Sequence, residues 1–212
     1  MPLNVFLDLD GTLTDPKPGI TGGAIYALTQ LGLHAPHADD LEWIIGPPLL
    51  ESFAKLGAPD PQAALDLYRV EYQANGLFDA TVYAGIPQAL DDLKAAGYAQ
   101  FLATAKPHAY AKKITANFGL DRHMTRQYGP ELDGTRNDKG ELLAYALAEL
   151  GLHPNDCVMV GDRSNDLRAA RATDMPFVGV AWGYGTGGEL DGADVICETP
   201  SQLSQAIAIL GA

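Results

Sequence analysis

The chain has 212 residues, which is enough for one domain with a large insertion or for two modest domains. Hydrophobic residues make up 47% and charged residues 19%, a composition typical of a well-packed globular protein. The 14 basic and 27 acidic residues give a formal net charge of −13, so neither nucleic acid nor an anionic membrane is an expected partner. No apolar run approaches the roughly 18 residues of a membrane span.

The cysteines and the N-terminal residues bear on cellular location. Cys157 and Cys197 lie in apolar, strand-like runs, and we expect buried free thiols in a reducing compartment. The first residues do not form a charged segment followed by an apolar one, because Asp8 interrupts the first apolar run. The sequence therefore predicts a cytoplasmic protein.

The first predicted element is a buried strand at Val5–Leu9, which is short, β-branched and aromatic. The chain then carries helical patterns alone up to about residue 80, at Gly22–Leu31, Ala38–Ile45, Leu49–Leu56 and Pro61–Asn75. Four helices between one strand and the next make an inserted bundle and not a crossover. We therefore expect a helical cap domain at residues 16–79, inserted into an α/β core formed by residues 1–15 and 80–212.

Strands and helices alternate in the remainder of the chain. Apolar runs predict further strands at Ala99–Thr104, Cys157–Gly161 and Phe177–Ala181. Proline and glycine punctuation and apolar periodicity predict helices at Pro87–Gly97, Lys139–Leu150 and Leu167–Ala172. This alternation predicts a Rossmann-like parallel sheet with right-handed crossovers, an α/β fold.

Two acids end the first predicted strand, in the stretch VFLDLDGTLTD. Asp8 and Asp10 are two residues apart, so they point to the same face at the carboxyl end of the strand. Ligands of open α/β sheets bind beyond these carboxyl ends. Gly11 allows a tight turn or the close approach of a ligand. An ordinary acidic turn explains Asp10–Gly11 equally well, so this stretch alone leaves both interpretations open.

A second acidic loop follows the strand that ends at Gly161. Asp162 and Asp166 lead into a helix, which would return both carboxylates to the same edge of the sheet. Converging acids are unfavourable without a cation. Mg²⁺ accepts a few carboxylates together with water and phosphate oxygens, and it would reverse the local negative field for an anionic substrate. The sequence therefore predicts a Mg²⁺ site.

These motifs together resemble those of the haloacid dehalogenase superfamily. They are Asp8-Leu-Asp10-Gly-Thr12, Thr104 after a strand, Lys139 before a helix, and Gly161-Asp162-x-x-x-Asp166. The chain is similar more narrowly to the phosphoglycolate phosphatase-like branch with a helical cap, and this resemblance includes the segments Tyr83–Gly85 and Trp182–Gly185. It implies a Mg²⁺-dependent phosphatase that acts on a small phosphorylated metabolite through an aspartyl-phosphate.

The resemblance also implies roles for individual residues. Asp8 would attack phosphorus, and Asp10 would protonate the departing alcohol and later take a proton from water. The Asp8 carboxylate, the Asp10 backbone carbonyl and Asp162 would hold the metal. Asp166 would support that metal shell and would not bind the metal directly.

Phosphate binding is assigned by the same resemblance. Thr104 and Lys139 would bind the transferring phosphoryl oxygens. An ordinary strand-end hydroxyl is the alternative for Thr104, and Lys106 competes with Lys139 for the phosphate. Asp15 fits either the same edge or the start of the next helix.

Two glycine-containing segments carry weaker hypotheses. Gly183–Gly188 lacks the spacing of a nucleotide-binding motif, and we expect a flexible loop near the acidic edge. Gly46–Leu49 in the cap is either a proline-assisted helix end or a segment that helps to choose the leaving group.

Several other functions share parts of this pattern. A 5′-nucleotidase or a sugar phosphatase would use the same scaffold, and a phosphomutase remains possible. A dehalogenase does not need the second acid, Asp10. A receiver domain would be shorter and uncapped, with its acids adjacent. A monomer and a homodimer fit the sequence equally well.

Overall fold

The structure is a computed structural model that describes residues 4–211. The chain divides into two compact units: a core unit, formed by residues up to 14 together with those from 82 onward, and a helical unit, Asp15–Thr81. The strands, in chain order, are β1 (Asn4–Leu7), β2 (Thr14–Asp15), β3 (Thr81–Val82), β4 (Ala99–Ala103), β5 (Arg126–Tyr128), β6 (Cys157–Gly161), β7 (Phe177–Val180) and β8 (Val195–Cys197).

The helical unit contains α1 (Lys17–Gln30), α2 (Leu49–Lys55) and α3 (Pro61–Glu71). In the core unit, helices alternate with the strands, and they are α4 (Ile86–Ala95), α5 (His108–Asn117), α6 (Lys139–Leu150), α7 (Ser164–Ala172) and α8 (Leu203–Leu210). None of the helices within residues 4–211 is both long and apolar enough to cross a membrane.

The core unit is built on a parallel sheet. Within the described part of the chain this sheet has six strands in the order β5-β4-β1-β6-β7-β8, and neighbouring strands pair in parallel. Val5, Phe6 and Leu7 of β1 are completely buried, as expected for a central strand covered on both faces. The predicted fold class, an α/β parallel sheet with flanking helices, is confirmed.

The register brings three strand ends to one level. Leu7 pairs with Leu102 of β4 on one side and with Val160 of β6 on the other. The residues that follow these strands therefore meet at a single carboxyl edge. Below this edge, the rings of Phe6 and Phe101 stack with their centroids 4.9 Å apart. Full burial of a side chain of this size stabilises the fold by about 1.5–3 kcal/mol.

The helical unit has its own apolar interior. α1 packs on α3, and Gly23 leaves room for the ring of Tyr68, because a Cβ there would lie 2.9 Å from that ring. The Tyr68 and Tyr72 rings stack at 5.2 Å. A 3₁₀ helix at Ala38–Ile44 and a π-helical turn at Tyr72–Gly76 complete the unit.

Candidate active site

A tight turn behind β1 presents the first pair of acids. The Leu9 carbonyl accepts hydrogen bonds from the N–H groups of Leu13 and Thr14, both at 2.9 Å, and the Gly11 N–H donates to the Thr14 carbonyl at 2.8 Å. Leu9 itself is completely buried. The Leu9 side chain points into the core, so the flanking Asp8 and Asp10 face the carboxyl edge of the sheet, as the two-residue period requires.

Asp162 lies against glycine backbone on two sides. Gly11 has a φ of 84°, and a Cβ on it would lie 2.2 Å from Asp162 Oδ2. A Cβ on Gly183 would lie 2.4 Å from the same oxygen. The carboxylate accepts a hydrogen bond from Tyr184 N at 2.7 Å and one from Thr12 Oγ1 at 3.3 Å. The glycines therefore allow the two loops to close around a buried acid.

Three buried carboxylates form one group. Asp8, Asp162 and Asp166 each offer an oxygen, and these oxygens lie within 4.8 Å of one another. Burial raises the pKa of Asp162 well above its ordinary value, and the charges of Asp166 and Asp8 raise it further. Burial also raises the pKa of Asp166 to about 6, although its neighbour Lys139 acts in the opposite direction. Lys139 supplies one positive charge against these three carboxyl groups, so a further cation would stabilise their ionised forms.

The same group has the donor chemistry of a hard divalent cation. Its donors are all carboxylate oxygens, the ligands that Mg²⁺ prefers. Asp8 Oδ1 and Asp10 Oδ1 are buried and accept no hydrogen bond of good geometry from residues 4–211, although Asp8 Oδ1 lies 2.9 Å from Lys139 Nζ. Asp166 uses both oxygens, one with Lys139 Nζ and the other with Arg163 N at 3.0 Å. The residues present therefore fit a metal ion.

Lys139 begins helix α6 and reaches into the acid group. Asp138 caps this helix by accepting a hydrogen bond from Glu141 N at 2.9 Å. The Lys139 ammonium lies between Asp8 Oδ1 and Asp166 Oδ1. Burial lowers the pKa of Lys139, but Asp166 and Asp8 outweigh it and raise the pKa above its ordinary value. Lys139 is therefore a permanent cation beside Asp8.

Thr104 and Lys106 lie at the end of β4. Thr104 is buried, its N–H donates to the Tyr128 carbonyl at 3.1 Å, and its Oγ1 accepts from Lys106 N at 3.2 Å. Lys106 Nζ lies 2.8 Å from Asp10 Oδ2. Burial raises the pKa of Asp10, although the charge of Lys106 opposes this rise. The two lysines therefore contact different acids.

The six residues predicted for the site all lie at this edge, following β1, β4 and β6 or beginning α6. Asp15 belongs to the helical unit, and its Oδ1 accepts a hydrogen bond from Lys17 N at 3.0 Å at the start of α1. This contact is the helix-start alternative that the sequence left open.

Sequence reasoning missed the contacts that organise the two loops around Asp162. Glu189 accepts hydrogen bonds from Arg163 Nε at 3.0 Å, Ser164 N at 3.1 Å and Thr186 N at 3.2 Å. Glu189 thus fastens the loop behind β6 to the Gly183–Gly188 loop. No spacing rule signals this link, because Glu189 and Arg163 are far apart in sequence and the other two donors are backbone groups.

Similar proteins are known. A 5′-nucleotidase of Pseudomonas aeruginosa is 42% identical over 88% of this chain and 86% of its own. The tyrosine-protein kinase PtkA of Mycobacterium tuberculosis is 38% identical over 90% of this chain, but the match spans 66% of that protein. A phosphoglycolate phosphatase of Xanthomonas campestris is 30% identical over 98% of this chain and 97% of its own.

A solved structure has nearly the same fold. The crystal structure of a predicted phosphatase from Clostridium acetobutylicum superimposes with a TM-score of 0.93, at 34% identity, over 99% of this chain and 100% of that one. Sheet and edge together define an α/β fold of the kind in which ligands bind beyond the carboxyl ends of the strands. A family model described as haloacid dehalogenase-like hydrolase matches residues 5–180. The chain belongs to this family and is a phosphoric monoester hydrolase.

Proposed function

We propose that the protein is a Mg²⁺-dependent phosphatase that hydrolyses a small-molecule phosphomonoester through an aspartyl-phosphate on Asp8. One observation carries the proposal: the buried Asp8 carboxylate lies 2.9 Å from the Lys139 ammonium and beside Asp162 and Asp166. A buried nucleophile that adjoins a fixed cation is suited to attack an anionic phosphoryl group.

The first half of the reaction forms the covalent intermediate. A carboxylate oxygen of Asp8 forms a bond to phosphorus while the bond between phosphorus and the ester oxygen breaks. The electron pair of the broken bond stays on the ester oxygen, which takes the proton of Asp10 and leaves as the alcohol. Asp10 suits this task because burial raises its pKa, which favours the protonated form that can donate.

The second half returns the enzyme to its starting state. Asp10, now a carboxylate, takes a proton from a water molecule whose oxygen attacks phosphorus. The bond between phosphorus and the Asp8 oxygen breaks, and inorganic phosphate leaves. Lys139 and Thr104 bind phosphoryl oxygens in both halves, where preorganised donors stabilise the charge that develops on them.

Asp8, Asp162 and the Asp10 backbone carbonyl would hold the metal. Asp166 would support the metal-binding residues without binding the metal itself, because its two oxygens already accept hydrogen bonds from Lys139 Nζ and the Arg163 N–H. Bound Mg²⁺ supplies positive charge that offsets the carboxylates and the substrate phosphate.

The helical unit is proposed to act as a cap that selects the leaving group. The segment Gly46–Leu49 is its specificity element, with Gly46 in a left-handed conformation at a φ of 102° immediately before two prolines. A small-molecule substrate suits this organisation, because a lid excludes large partners and water. Unchanged relative rates across substrates in a Leu49→Ala variant would contradict this role.

Two classes of substrate have the most support from the family resemblance and the similar proteins. The resemblance to the phosphoglycolate phosphatase-like branch offers phosphoglycolate first, and a phosphoglycolate phosphatase is 30% identical to the chain. The greater identity, 42%, to a 5′-nucleotidase favours a nucleoside 5′-monophosphate. Sugar phosphates complete the set to be compared.

The test is phosphate release with Mg²⁺ from these three classes, with Asp8→Asn as the matched control. Asparagine keeps the shape of Asp8 but removes the nucleophile, so we expect a loss in kcat of about 10⁴-fold or more. A substrate about 100-fold above the others in kcat/KM, or about 2.7 kcal/mol in the barrier, would identify the natural one. Turnover that survives in Asp8→Asn would overturn the proposed mechanism.

A further inference from the structure

A second ion pair lies beside the acid group and joins Lys106 to Asp10. The distance between Lys106 Nζ and Asp10 Oδ2 is 2.8 Å, and the two side chains are 5% and 9% exposed. Surface ion pairs hold their partners weakly, because water competes for both charges. Here water has little access, so this contact restrains the orientation of the Asp10 carboxylate.

The two oxygens of that carboxylate are in different environments. Oδ2 faces the Lys106 ammonium, whereas Oδ1 is buried and accepts no hydrogen bond from any described residue. A buried polar atom is costly unless it finds a partner. Oδ1 therefore has hydrogen-bonding capacity that no described residue uses.

The backbone that carries Lys106 is tightly fixed. Its N–H donates to Thr104 Oγ1 at 3.2 Å. Its carbonyl packs against Gly129, where a Cβ would lie only 2.6 Å away. Pro107 follows and precedes helix α5, which removes further backbone freedom. The ammonium is thus presented from a rigid turn.

We propose that Lys106 is a positioning residue: it holds Asp10 by Oδ2 so that Oδ1 faces the ester oxygen of the leaving alcohol. This inference rests on the proposed function. Asp10 Oδ1 gives its proton to the ester oxygen as the bond from that oxygen to phosphorus breaks, and Asp8 forms the new bond to phosphorus. Lys106 forms and breaks no bond in this step. It acts on the leaving group through Asp10, whereas Lys139 adjoins the nucleophile.

The test compares two kinds of ester. An alkyl phosphate has a poor leaving group that must be protonated as it departs, whereas p-nitrophenyl phosphate releases a stable phenolate and needs no proton. The quantity measured is kcat/KM, which covers the steps up to departure of the alcohol and excludes hydrolysis of the intermediate. In Lys106→Met we expect kcat/KM to fall by about 100-fold for glycerol phosphate and far less for the aryl ester, as for a displaced catalytic group.

Three further variants control the experiment. Lys113→Met removes an exposed lysine of α5 and should leave both substrates unaffected. Lys106→Arg keeps a cationic donor and should restore part of the alkyl activity. In an Asp10→Asn background, Lys106→Met should add little further loss, because the effects of two residues that act through one group are not additive. If Lys106→Met fails to fold, as measured by thermal melting, Lys106→Gln replaces it.

Each outcome decides the question. A larger loss for the alkyl ester that disappears in the Asp10→Asn background supports the positioning role. Equal losses for both esters, or no loss, would overturn it, since Lys106 would then act on phosphate binding or not at all. Failure of the proposed function is distinguishable, because it would appear in the unmodified enzyme as no phosphate release from these esters or from any substrate class compared above, and it would overturn this inference as well.

Discussion

Asp162 is a residue at which stability and charge are linked to the proposed binding of the metal. Its side chain is completely buried, and burial together with Asp166 and Asp8 raises its pKa well above 3.8. A raised acid pKa means that the folded protein holds the proton more tightly than the unfolded chain. Its contribution to stability is therefore present below about pH 3.8 and is lost as the pH rises.

The direction of this pH dependence gives a prediction for the melting temperature of Asp162→Asn when the metal is removed by a chelator. The amide cannot ionise, so near neutral pH the variant should melt at a higher temperature than the parent protein. The difference should shrink as the pH falls, and it should vanish below about pH 3.8, where the aspartate becomes protonated in the unfolded state as well. Melting curves in chelator across this pH range provide the measurement, and a variant less stable at every pH would contradict the prediction.

Added Mg²⁺ should reverse the order of melting temperatures, so that the parent protein becomes more stable than Asp162→Asn. A ligand that binds only the folded state stabilises it by about 2.7 kcal/mol at 100 times its Kd. We expect this gain in the parent protein and a much smaller one in Asp162→Asn, which lacks a proposed ligand. Equal shifts in melting temperature with Mg²⁺ would show that Asp162 does not bind the metal.

Residues at the carboxyl edge of the sheet could be predicted where the type and spacing of their side chains are visible in the sequence. Asp8 and Asp10 follow from a two-residue period, and Asp162 follows from a strand with an acid directly behind it. The Tyr184 N–H that binds Asp162 could not be found in this way, because every residue except proline has such a donor. Lys106 was recognised only as a rival for phosphate, since its contact with Asp10 depends on the three-dimensional path of the turn. The chemical roles of these residues remain predictions.

At the scale of elements, α1 contains a matched pair of glycines. A Cβ on Gly19 would lie 2.1 Å from the Gly76 carbonyl oxygen, whereas a Cβ on Gly22 would meet nothing within 4 Å. Gly19→Ala should therefore destabilise the protein by about 1–3 kcal/mol through overpacking. Gly22→Ala should stabilise it by up to about 1 kcal/mol, because alanine is the better helix former.

Chemical denaturation of the two variants makes this comparison. Both substitutions add one methyl group to the same helix, so helix propensity cancels between them and the difference reports the contact between Gly19 and Gly76. Similar stabilities for the two variants would contradict the prediction, because they would mean that the helical unit rearranges at this contact to make room for the methyl group.

The predicted elements differ from the observed ones mainly at their ends, but helices α5 and α8 and the two-residue strands β2 and β3 were not predicted. Lys139–Leu150 was predicted with its observed bounds, because Asp138 and Gly151 mark its two ends. α1 begins at Lys17, five residues before the prediction, since Pro18 is tolerated in the first turn of a helix. The short strand β5 was not predicted, because the charged and polar residues Arg126 and Gln127 conceal it.

At the scale of the whole molecule, the two cysteines report on opening of the sheet. Burial raises the pKa of Cys157 in β6 to about 12 and that of Cys197 in β8 to about 11. Thiolates are the reactive form, so an aromatic disulfide reagent at about pH 8 should modify neither cysteine in the folded protein. We expect two thiols to react after denaturation, and rapid reaction under native conditions would contradict this. Both are free and buried, as the sequence predicted.

The overall architecture was the most predictable feature, because the alternation of strands and helices spans most of the chain and does not depend on any one residue. The α/β class is confirmed by the parallel order of the sheet. The strand order itself could not be derived from apolar pattern, since the central strands β1 and β6 are equally apolar and buried.

The central position of β1 has a consequence for synthesis of the protein. Asn4, in β1, pairs with Ala99 on one side and with Cys157 on the other, so both partner strands follow far along the chain. Closing such long loops is slow and requires both partners to be present. During synthesis the chain therefore carries an apolar strand with two open edges until both β4 and β6 have been made. The local contacts within Asp15–Thr81 can form during this interval, so the insertion is complete before the sheet that contains it.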